Sequence, residues 1–94
     1  MTYPRRADTN QAAIVLELRK AGYSVQHLHT VGGGCPDIVV GHDGKNYLFE
    51  IKTRGGKLTQ DETIFHEVWR GQVNVIYSAD DALAIMQKGD EWQI

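Results

Sequence analysis

Ninety-four residues make one domain, and a chain this short buries only a modest core, so self-association is an expected further source of stability. Hydrophobic residues at 41% and charged residues at 23% exclude a disordered composition, and a net charge of −2 excludes a generic polybasic nucleic-acid binder. No apolar run approaches the ~20 residues that span a bilayer, residues 1–10 lack the apolar stretch of a secretory leader, and a lone Cys35 cannot form an internal disulfide, so a cytoplasmic setting without membrane contact is expected.

The charge is unevenly spread. Residues 1–57 carry eight Lys/Arg against five Asp/Glu, and residues 58–94 carry two against seven. Lys45, Lys52, Arg54 and Lys57 form a candidate basic patch that could meet phosphates even on an acidic protein, although each taken singly reads as a solvated surface charge.

The first eight residues read as a loose arm. Residues 9–21 then read as a helix, with Ile14, Val15, Leu18 and Ala21 at helical spacing and Gly22 as its stop. Asp8 and Gln11 have capping-box spacing. Ser24 to Val31 is β-prone, and Gly32-Gly33-Gly34 breaks it; no helix opening with Lys-Ser/Thr follows, so this is not a phosphate loop. Asp37 to Gly41 and Asn46 to Thr53 read as two strands joined by a hairpin at Asp43-Gly44, a type I′ signal. Thr59 to Arg70 reads as a helix opened by a Thr59/Glu62 capping box, with Phe65 and Trp69 at positions suited to a core. Gln72 to Tyr77 reads as a short strand, and Ser78 caps a last helix to about Gln87. The order α-β-β-β-α-β-α predicts an α/β fold, a mixed sheet flanked by helices.

The hairpin carries the chemistry. A turn centred on Asp43-Gly44 pairs His42 with Lys45, Val40 with Tyr47, Ile38 with Phe49, and Asp37 with Glu50. Period-2 alternation places Lys52 on the face of Glu50 and leaves Ile38, Val40, Tyr47, Phe49 and Ile51 on the other. Two opposed carboxylates repel, and one of them ordinarily keeps a proton. A divalent cation removes that conflict, since Mg²⁺ and Mn²⁺ favour hard oxygen donors, and Lys52 can orient water or neutralise phosphate charge. The competing reading makes Asp37 a strand-opening residue and Glu50 with Lys52 a polar stripe on a one-sided sheet. His27, His29 and Cys35 offer zinc donors, but a fourth ligand and the usual Cys-x-x-Cys pairing are missing, so exposed strand histidines are expected.

Pro36-Asp37, the hairpin and Glu50-Ile51-Lys52 resemble the PD-(D/E)XK nuclease signature, and within that class the chain resembles a stand-alone VRR-NUC domain. The likeness takes in Leu18-Arg19-Lys20-Ala21-Gly22, Gly34-Cys35-Pro36-Asp37, Leu58-Thr59 and Trp69-Arg70-Gly71. It implies a restriction-endonuclease-like αβββαβ core spanning residues 1–94 as one domain, and Mg²⁺- or Mn²⁺-dependent hydrolysis of DNA phosphodiesters. Asp37 and Glu50 would be metal ligands, the Ile51 carbonyl a further one, and Lys52 the catalytic lysine. Gln11 stands where many relatives carry a metal-shell glutamate, and it serves either as a weak or water-mediated ligand or as a cap. Likeness to Holliday-junction resolvases implies a homodimer acting on branched DNA, with Arg5, Arg6, Arg54 and Lys57 as phosphate contacts. The alternative is a catalytically weak DNA-binding or assembly module of the same fold.

Overall fold

The computed structural model describes residues 9–91. Its elements are α1 (Thr9–Lys20), β1 (Ser24–His27), β2 (Ile38–His42), β3 (Lys45–Ile51), α2 (Gln60–Val68), β4 (Val73–Ile76) and α3 (Ala79–Glu91). The predicted α-β-β-β-α-β-α order is present throughout. None of the described helices is long and apolar enough to cross a membrane.

Gly22 ends α1 as expected. At φ 97° it adopts the left-handed conformation that an L-residue resists, and Tyr23 N–H returns to Leu18 C=O at 3.1 Å in a Schellman closure. The proposed Asp8 cap lies outside the described residues. β1 is shorter than expected: Val31 N–H bonds to Leu28 C=O, folding the chain into a turn before the glycine run.

The four strands form one sheet in the order β1-β2-β3-β4, antiparallel between β1, β2 and β3 and parallel between β3 and β4. Asp43 (φ 52°) and Gly44 (φ 77°) make the tight turn, and the register is the predicted one, with His42 opposite Lys45, Val40 opposite Tyr47 and Ile38 opposite Phe49. The α3 end is tied to this turn, where Asp90 accepts from His42 at 3.0 Å and Lys45 at 3.3 Å.

Alternation then separates the faces. Ile38, Val40, Tyr47, Phe49, Ile51 and Ile76 point into the core and meet Ile14, Val15 and Leu18 of α1 and Ala79, Ala82 and Met86 of α3. Burying such side chains supplies roughly 1.5–3 kcal/mol each before the entropy of ordering the chain is counted. Helix α2 takes no part in that core: its buried residue is Glu62, while Ile64 and Val68 are exposed. Trp69 departs from expectation. It forms the extended C-cap of α2 and is 46% exposed, because no layer of the described residues covers this side of the helix.

Candidate active site

Four polar side chains are buried among the described residues: Gln11, Asp37, Glu50 and Glu62. Three are acids. Burying a carboxylate is costly unless it is paired or protonated, so their neighbours decide what the cluster can do.

Asp37 lies one residue before β2. The ladder stops at Ile38–Phe49, and Asp37 N–H reaches Phe49 C=O at 3.1 Å instead of joining a regular pair with Glu50. The carboxylate then turns along β3, and its Oδ2 accepts from Ile51 N–H at 2.7 Å. Glu50 is 1% exposed, and its Oε1 is buried with no hydrogen-bond partner. Burial, with the adjoining carboxyls of Asp37 and Glu62, pushes Glu50 up to about 9 despite the opposing pull of Lys52. At neutral pH Glu50 therefore keeps its proton.

Lys52 follows β3 directly, and its N–H bonds to Ile76 C=O at 3.0 Å, so the parallel neighbour holds its backbone. Its Nζ stands 3.6 Å from Glu50 Oε2 and donates to Glu62 Oε1 at 2.8 Å. Burial alone would lower the Lys52 pKa, but Glu62 and then Glu50 and Asp37 raise it overall, so the ammonium persists. Burial would likewise raise Glu62, yet the Lys52 hydrogen bond and charge and the Thr59 N–H hold it at about 2.

Glu62 has two structural duties. Its Oε1 accepts from Thr59 N–H at 2.8 Å, and Thr59 Oγ1 accepts from Glu62 N–H at 3.2 Å, which is the capping box read from sequence. The same carboxylate reaches across to Lys52. Sequence spacing reveals the cap but not the ion pair, because the partner lies ten residues back on another element. Gly34 helps bring α2 to the site. At φ 81°, a Cβ there would collide with the Asp61 carbonyl, so only glycine lets this loop pass against the first turn of α2.

Gln11 points inward, as expected, but its amide lies 3.1 Å from His27 Nδ1 on β1. Burial, followed by the charges of Arg19 and His29, lowers the His27 pKa, so this imidazole is neutral and can accept the amide N–H. The His27 and His29 rings meet edge to face at 5.6 Å. Among the described residues, no group of three or more His, Cys, Asp or Glu side chains is set to hold a metal ion, which leaves the zinc reading of His27, His29 and Cys35 without support. Asp37 and Glu50 offer a smaller set. Two hard carboxylates, one with an orphaned buried oxygen, fit a single Mg²⁺- or Mn²⁺-like ion whose other positions go to water and phosphate.

Arg54 and Lys57 are exposed in the segment between β3 and α2. Arg54 borders a 690 Å³ pocket with Asn10, Tyr77 and Ser78, beyond the end of β3. Arg5 and Arg6 lie outside the described residues. Among known proteins, no family model, no curated sequence and no solved structure matches the chain.

Proposed function

We propose that this chain is a metal-dependent DNA endonuclease of the PD-(D/E)XK class, with a restriction-endonuclease-like core of the VRR-NUC type. The observation that carries the reading is the buried acid cluster at Lys52: Glu50 and Glu62 both meet its ammonium, and the buried Asp37 adds its charge nearby. Such a cluster holds a proton on Glu50 at neutral pH, which a fold selected for stability alone has no reason to keep.

Asp37, Glu50 and the Ile51 carbonyl would hold one Mg²⁺ or Mn²⁺. When bound, that ion supplies an acidified water and stabilises the charge that gathers on the phosphate. The protein does the rest through position. The Ile51 N–H fixes the Asp37 carboxylate, and β4 fixes the Lys52 backbone. The Lys52 ammonium, kept charged by Glu62, can hold the attacking water in line or neutralise a phosphate oxygen. Arg54 and Lys57 extend positive charge beyond the lysine, and Arg5 and Arg6 are proposed to add to it. The substrate is proposed to be branched DNA and the active form a homodimer.

The test is cleavage of linear, flap, splayed-arm and four-way junction DNA with Mg²⁺ or Mn²⁺. Cleavage that disappears in Lys52→Ala, with DNA binding retained, supports the proposal; no cleavage of any of these DNAs rejects it.

A second reading is a DNA-binding or assembly module with little catalysis. The engagement of Gln11 with His27 favours it, because that position offers an amide already committed to β1 rather than a third acid.

A further inference from the structure

The sheet face opposite the core is partly open. Val39 of β2 and Leu48 of β3 line a 570 Å³ groove there with Cys35, Phe65, Trp69 and Gln72. Each element that borders it also carries a residue of the candidate site one step away. Leu48 is two residues from Glu50 on the same face of β3, and Val39 is two residues past Asp37. On α2, Phe65 and Trp69 follow Glu62 at helical spacing. Cys35, on the loop that leads into β2, precedes Asp37 by two residues. The groove therefore shares the sheet face of Glu50.

Its chemistry is distinctive. Among the described residues no charged side chain lines it, so it offers a phosphate no partner. Phe65 and Trp69 are stacked at 5.0 Å and 17°, and the indole is half exposed. A Cβ at Gly71 would stand 2.9 Å from Trp69 Nε1, so this glycine lets the indole lie close over the chain. Gly32 and Gly33 border the other side with open space around them. The Gln72 amide is already committed to both backbone groups of Leu48, which leaves Asn46 as the polar group at the rim. A flat, uncharged ring with a hydrogen-bonding edge fits such a site, whereas the charged outside of a paired duplex does not.

We propose that this groove is a stacking subsite for one unpaired nucleobase, seated on Trp69 and Phe65 beside the phosphate that Lys52 and an ion at Asp37 and Glu50 would hold. This inference rests on the nucleic-acid reading of the site, and it supplies what that reading lacks: a reason for preferring unpaired over fully paired strands.

The chain holds two tryptophans, Trp69 and Trp92, so Trp92→Phe leaves Trp69 as the one reporter. That full-length variant is titrated in EDTA with oligothymidylate and with a blunt duplex of equal length. Oligothymidylate is expected to quench Trp69, and the duplex to leave it unchanged at the same concentration. Trp69→Leu should weaken oligothymidylate binding about tenfold, while Trp69→Phe stays within about threefold. Equal quenching by duplex overturns the proposal, as does unchanged affinity in a folded Trp69→Leu. So does a parent dimer in sedimentation that Trp69→Leu dissociates, since the groove would then be an interface between copies. If Trp69→Leu does not fold, the quenching contrast decides alone. Quenching without cleavage of any DNA keeps the subsite and removes the nuclease; cleavage without the contrast does the reverse.

Discussion

Lys52 and Glu62 meet at 2.8 Å, although one closes a strand and the other caps a helix. The contact couples the sheet to α2, which contributes no apolar residue to the core. Losing Glu62 should therefore remove the cap and strand a poorly solvated ammonium. Glu62→Ala is expected to cost about 2–4 kcal/mol in urea unfolding. Glu62→Gln, which keeps a side-chain oxygen for Thr59, should cost less. A loss below about 0.5 kcal/mol for the alanine variant, the level of an ordinary surface change, contradicts this account.

Acid and base act on the cluster in different windows. Glu62 sits at about 2 against an ordinary 4.5, so its contribution is complete above about pH 4.5 and is lost as pH falls toward 2. Glu50 is displaced the other way, to about 9 from 4.5. The folded chain keeps a proton that the unfolded chain releases, so the Glu50 contribution is complete below pH 4.5 and fades as pH rises toward 9. Thermal melts in EDTA between pH 5 and 9 should show Glu50→Gln flattening that decline and melting several degrees higher at pH 8. Parallel curves for variant and parent would refute the placement of the proton.

A divalent ion should compete for that same proton. Mn²⁺ binding is expected to release close to one proton per site and to tighten as pH rises from 7 to 9. Calorimetry in two buffers of unlike ionisation enthalpy measures the release directly. Asp37→Asn should abolish the saturable heat. Identical heats in both buffers would mean that Glu50 does not ionise on binding.

The glycine loop offers a comparison between neighbours. Gly33 and Gly34 both have positive φ, but only Gly34 is pressed against the Asp61 backbone. Gly33→Ala should cost about 1–2 kcal/mol, the strain of a left-handed alanine. Gly34→Ala adds a backbone collision at the start of α2, so it should cost clearly more and weaken any activity through Lys52 and Glu62. Equal melting temperatures for the two variants would rule out the close approach.

The hairpin was legible because two local signals agree. Asp43-Gly44 sets the turn, and alternating Ile38, Val40, Tyr47, Phe49 and Ile51 sets which side faces inward. The irregular step at Asp37 was not legible, since it depends on where its backbone finds a partner rather than on residue type. Phe65 and Trp69 mislead for a related reason. Helical spacing shows that they share a side of α2, but not whether another layer covers that side. Contacts made across the fold, such as Gln11 with His27 and Asp90 with His42 and Lys45, leave no mark in spacing at all.

Strand β3 has a hairpin partner on one side and a parallel partner, β4, on the other. The first can form as soon as residue 51 is made, but the second waits for residues 73–76. Lys52 takes its backbone bond from Ile76, so the lysine is fixed only after the late strand arrives. A half-made chain then holds the acids without a positioned lysine.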